Sequence, residues 1–124
     1  MSLDVVRIQG LAVETVIGVW AWEREITQKL LVDIELYTDT RAAGASDALE
    51  DALNYAAVAE RVTNHIQAAK AQLIERLANE LATLLLDEFE PQRVVLTVRK
   101  PGAVPAASDV AVQVARERNS ISKA

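Results

Sequence analysis

The sequence predicts an α+β domain: a four-stranded antiparallel sheet with two helices inserted between the second and third strands, ββααββ. Two observations predict it. Four stretches alternate apolar and polar residues with a period of two, and two stretches between the second and third of these repeat apolar residues at helical spacing. No helical stretch separates the first two strands, so they are expected to pair antiparallel.

The first strand is expected over Val5 to Val19. Val6 and Ile8 alternate with Arg7 and Gln9, and after Gly10 the residues Leu11, Val13, Thr15 and Ile17 take the other parity. A change of parity at a glycine predicts a bulge or bend. Gly18 to Thr27 follows as a loop that holds Trp20, Trp22 and Glu23. Leu30, Val32, Ile34 and Leu36 alternate with Asp33, Glu35 and Tyr37, a half-buried strand. Arg41 to Ala52 is an irregular connector with room for one helical turn.

Asn54 can cap a helix beginning at Tyr55, with Val58, Val62, His65, Ile66 and Ala69 on one face. The next helix is expected from Gln72 to Phe89, stopped by Pro91. Leu73, Leu77, Leu81, Leu84 and Leu85 form its apolar stripe. Val94, Leu96 and Val98 mark the third strand, which Lys100-Pro101-Gly102 ends. Val110, Val112 and Val114 mark the fourth. Residues 1–118 are read as one domain and 119–124 as a polar C-terminal tail. A sheet with two free edges invites pairing with further copies, so a homo-oligomer joined edge to edge is expected.

Composition narrows the function. The net charge of −5 and the lack of a basic cluster argue against nucleic acid as a partner. No apolar run approaches the ~20 residues of a membrane span, and the N-terminal residues do not read as a signal peptide. Cysteine is absent and there is one histidine, so thiolate and His-rich metal sites are not expected. A reducing, cytoplasmic setting is the expectation. The four glycines fit no nucleotide loop, and no Ser-His-Asp set can be made out.

What remains is a small group of polar residues at element ends: Glu23, Tyr55, Glu75 and Lys100. Each has a plain alternative. Glu23 could be an ordinary loop acid, Tyr55 a packing aromatic and Lys100 a solvated strand end. Glu75 could be a solvated glutamate at the positive end of a helix dipole. His65, in an apolar stripe, reads as a packed and satisfied histidine.

Four segments tie the group together: Val16-Ile17-Gly18-Val19 with Trp22-Glu23, Asp51-Ala52-Leu53-Asn54-Tyr55-Ala56, Leu73-Ile74-Glu75-Arg76-Leu77-Ala78, and Lys100-Pro101-Gly102-Ala103. In this order the chain resembles the dihydroneopterin aldolases, pterin-cleaving lyases of folate synthesis. The resemblance implies the tunnelling fold, rings of four that often stack into octamers, and active sites between subunits. It implies a small-molecule pterin substrate, no cofactor and no metal.

Carried to this chain, it implies that a buried Glu75 grips the 2-amino group and N3–H of the pterin, two donors for two carboxylate oxygens. The Ile74 backbone would add a bond to the ring, and Leu53 would belong to the substrate-binding set. Tyr55 from a neighbouring subunit would lie against the ring and aid proton transfer. Lys100, across a subunit seam, would be the acid–base residue acting through a water. Glu23 would hold that lysine or the substrate's side-chain hydroxyls. One departure is Trp20-Ala21-Trp22, where the family often has tyrosine-aspartate-tryptophan. Related activities stay open: 2′-epimerisation of dihydroneopterin or its triphosphate, and a non-catalytic oligomeric pterin-binding module. The Lys100-Pro101-Gly102-Ala103 segment resembles the aldolase version rather than the epimerase one.

Overall fold

A computed structural model describes residues 3–118; the expected tail 119–124 lies outside them. The sheet consists of β1 (Asp4–Thr15), β2 (Gln28–Thr38), β3 (Arg93–Pro101) and β4 (Asp109–Glu117), in the order β1-β2-β3-β4 with every pair antiparallel. Between β2 and β3 run a short α1 (Arg41–Ser46), the long α2 (Tyr55–Ala69) and α3 (Ile74–Phe89). The expected ββααββ order is therefore present, with α1 as the extra turn in the connector.

Alternation along the strands sorts the two faces. Leu30, Val32, Ile34 and Leu36 of β2 and Val94, Leu96 and Val98 of β3 turn to the helices and are fully buried. From the helical side Val58, Val62 and Ile66 of α2 and Leu77, Leu81 and Leu85 of α3 close the core. Each such side chain contributes about 1.5–3 kcal/mol by leaving water. The outer face is polar, with Arg7 paired to Glu35 at 2.9 Å and Arg99 paired to Asp33.

The parity change falls at Gly10. Between the pairs Ile8↔Ile34 and Leu11↔Val32, β1 carries one residue more than β2. Gly10 takes a φ of 67° and its N–H donates to Asp33 Oδ1 at 2.7 Å, so the backbone turns without leaving a donor unpaired.

Two boundaries differ from expectation. β1 ends at Thr15 rather than Val19. Its ladder stops at Thr15↔Gln28, and the Ile17 carbonyl accepts from the Gln28 side chain at 2.8 Å. α3 begins at Ile74 rather than Gln72, because Leu73 is extended at φ −117°, ψ 135°. Leu73 therefore does not join the buried stripe and is 51% exposed. β3 ends within Lys100-Pro101-Gly102 as expected: Pro101 pairs with Asp109 before Gly102 turns at φ 77°. His65 is satisfied as expected, with Nε2 2.9 Å from Glu80 Oε1.

Candidate active site

Lys100 owes its direction to the alternation of β3. It shares parity with Val94, Leu96 and Val98, so it continues the helix-facing row one step beyond the core. Its side chain is only 15% exposed. There the Nζ donates to Glu23 Oε2 at 2.7 Å.

Glu23 sits in a 3₁₀ turn, Ala21–Glu25. The Glu23 N–H donates to the Trp20 carbonyl at 2.9 Å, and the Trp20 N–H donates back to Glu23 Oε1 at 3.2 Å. Gln28 Nε2 donates to Oε2 at 3.1 Å. The residue is 4% exposed. The hydrogen bond from Lys100 holds its carboxyl at about 2, against an ordinary 4.5; burial pushes the other way, and Gln28 and the Trp20 N–H add to the lowering. At neutral pH the site therefore holds a buried carboxylate against the Lys100 Nζ.

Gly18 is what makes room for that carboxylate. Its φ is 127°, and a Cβ there would lie 2.1 Å from Glu23 Cδ. Only glycine supplies both the conformation and the space.

The pair opens into a pocket of about 300 Å³. Its walls are Gly18–Trp20, Trp22 and Glu23 from the loop after β1; Gln28 of β2; Gln72, Leu73, Ile74 and Glu75 at the front of α3; and Lys100, Val110 and Val112 from β3 and β4, with Gly102 and Ala103 from the turn between them. Trp20 and Trp22 are exposed beside it. Glu75, in the first turn of α3, is exposed rather than buried, and its carboxylate has no ion pair among the described residues. Leu73 provides no side-chain cap, so the first-turn N–H groups at Ile74 and beyond have no partner from that side chain.

One chain thus brings together Glu23, Ile74, Glu75 and Lys100. Lys100 is not across a seam from Glu75; both line the same pocket of one chain. Tyr55 and Leu53 are not among its lining residues. Tyr55 opens α2, whose far end, Ala69, leads through residues 70–73 to the first turn of α3 and Glu75. Fifteen helical residues span about 20 Å, so Tyr55 is a helix length away, and it is 62% exposed. Leu53 is half-buried against the core.

Gln28, Gln72 and Leu73 belong to the pocket and were not anticipated. Gln28 had a readable signal: it is a polar residue on the core-facing parity of Leu30, Val32 and Ile34. Leu73 had a misleading one, since its helical spacing suggested core.

The FolB dihydroneopterin aldolase family model matches residues 6–115. The dihydroneopterin aldolase of Escherichia coli strain K12 is 45% identical over 117 residues, covering 94% of this chain and 96% of that protein. The Haemophilus influenzae dihydroneopterin aldolase is 37% identical over 114 residues, covering 92% and 97%. A crystal structure of the E. coli enzyme in complex with neopterin superposes with a TM-score of 0.88 at 46% identity, over 91% of this chain and 98% of that one.

Proposed function

The chain belongs to the dihydroneopterin aldolase family, a lyase of folate biosynthesis, and we propose how its residues carry that reaction. The substrate is 7,8-dihydroneopterin and the products are 6-hydroxymethyl-7,8-dihydropterin and glycolaldehyde. Glu75 and the Ile74 backbone hold the ring's amino edge, where a carboxylate matches two adjacent donors. Glu23 and Lys100 face the trihydroxypropyl side chain.

In the chemical step the 2′-hydroxyl loses its proton and the C1′–C2′ bond breaks, releasing glycolaldehyde. The bond's electron pair moves through C6 to N5, because the N5=C6 imine is itself the electron sink. N5 takes up a proton as the charge arrives. C1′ is then protonated as the N5 proton leaves, which restores the imine. The ring thus does the work that other aldolases assign to a lysine imine or a metal ion. The protein's task reduces to holding the ring and moving protons, and Lys100 with Glu23 is the group that moves them. Positioned proton transfer is typically worth about 10²–10⁴-fold.

The carrying observation is the Lys100–Glu23 pair, 2.7 Å apart in the pocket that Glu75 also lines. Tyr55 completes the site from a neighbouring copy, with Leu53 beside it in sequence. The exposure of Tyr55 and its helix-length separation from the pocket support that reading. The free edges of β1 and β4 support assembly as a tetramer or octamer. Among the described residues no helix is long and apolar enough to cross a membrane. Cytoplasmic placement is part of the proposal and rests on the family reading.

The test is incubation of the purified enzyme with 7,8-dihydroneopterin, with chromatography that resolves the C2′ stereoisomers. Stoichiometric glycolaldehyde and hydroxymethyldihydropterin are expected. Epimer alone, without glycolaldehyde, would replace the aldolase reading with epimerisation.

A further inference from the structure

We propose that Arg24 is a positioning residue that sets the spacing between the acid–base pair and the ring anchor; this rests on the roles proposed above for Glu23, Lys100 and Glu75. Arg24 follows Glu23 in the same 3₁₀ turn but does not line the pocket. Its Nη1 donates to the Gly18 carbonyl at 2.9 Å and to the Ala71 carbonyl at 3.0 Å, and its Nη2 donates to the Lys70 carbonyl at 2.5 Å. One guanidinium therefore ties two segments that are 47 residues apart in sequence.

Each end of the clip leads to one wall of the pocket. Gly18 is the residue against which the Glu23 carboxylate packs. Lys70 caps the C-terminus of α2, left-handed at φ 45°, and Ala71 is buried just before the Gln72–Glu75 wall. Carbonyls at a helix C-terminus are left without helical partners and favour a cation. A planar guanidinium can hold three acceptors in a fixed fork, which an ammonium on a flexible stem does not reproduce. All three acceptors are backbone atoms, so the clip fixes the course of the two chain segments rather than the rotamer of one side chain. A misplacement of about 1 Å in a catalytic array can cost about 10²-fold.

The test compares Arg24→Ala and Arg24→Lys with the wild-type oligomer, well below their melting temperatures. Two quantities are read: kcat for 7,8-dihydroneopterin, and Kd for a 6-unsubstituted pterin, which lacks the side chain assigned above to Glu23 and Lys100. Arg24→Ala is expected to lower kcat by about tenfold or more while Kd for the bare pterin stays within about twofold. Arg24→Lys is expected to lie between, and added guanidinium ion to restore part of the Arg24→Ala rate. Unchanged kcat overturns the proposal, as does an equal loss in kcat and pterin affinity, or a loss that follows dissociation of the oligomer. If Arg24→Ala is insoluble, Arg24→Lys decides by the same ratio. An inactive wild-type enzyme would instead refute the proposed function, so the two failures are distinguishable.

Discussion

Lys100 and Glu23 lie 77 positions apart in the chain, yet a 2.7 Å hydrogen bond joins their side chains at the end of the core. Strand alternation delivers the lysine, a 3₁₀ turn delivers the glutamate, and Gly18 leaves the gap in which they meet.

The pair makes stability depend on acid in a defined window. The folded pKa of Glu23, about 2, is below its ordinary 4.5, so its ionised form stabilises the fold. That contribution is complete above pH 4.5 and is lost as pH falls toward about 2. Glu23→Gln is expected to cost about 2 kcal/mol at pH 7, a charge-assisted bond lost. Thermal melts from pH 7 to 2 are expected to show the wild-type advantage shrinking below pH 4.5; a gap independent of pH would contradict this.

Gly18→Ala is expected to remove activity while most of the core survives. The added Cβ meets the Glu23 carboxyl carbon at 2.1 Å and takes a backbone at φ 127°. Glu23 must leave Lys100, and strain of about 1–3 kcal/mol remains. Turnover measured beside circular dichroism checks it; a folded variant with wild-type turnover would show that the close packing on Glu23 is not needed.

Glu75→Ala is expected to weaken pterin binding rather than chemistry. Two bonds to a charged group, at about 1.5–3 kcal/mol each, predict a loss of roughly 10²–10⁴-fold in pterin affinity. Calorimetric titration with neopterin measures it. Unchanged affinity would move the ring anchor away from the front of α3.

Tyr55 can be tested by mixing subunits. Tyr55→Ala and Lys100→Ala are each expected to be impaired alone. Co-assembled, they are expected to regain part of the wild-type rate, because some interfaces then combine an intact Lys100 with an intact Tyr55. No recovery in a confirmed mixed oligomer would place Tyr55 outside the neighbour's site.

Much of this architecture was legible in the sequence because period-two and helical spacings report burial directly. Val94, Leu96 and Val98 announced their face, and the change of parity at Gly10 announced the bulge. Leu73 shows where the method stops. Its spacing fits the stripe of α3, but the backbone at that position is extended, and the side chain lines the pocket instead. Periodicity does not carry the end of a helix when no capping residue marks it. Glu75 was expected to be buried and is exposed in the single chain. The supports of Glu23 were hidden for a different reason. Gly18 and Arg24 act through a close approach and through backbone carbonyls, neither of which leaves a periodic pattern in the sequence. Gln28 and Lys100 share a usable clue, each being a polar residue at the end of a core-facing row.

The most direct measurement is Lys100→Ala, assayed for single-turnover cleavage of 7,8-dihydroneopterin and for neopterin affinity on the same preparation. Cleavage is expected to fall by about 10²–10⁴-fold with affinity changed by less than about tenfold. Near wild-type cleavage by that variant would contradict the assignment of proton transfer to the Lys100–Glu23 pair.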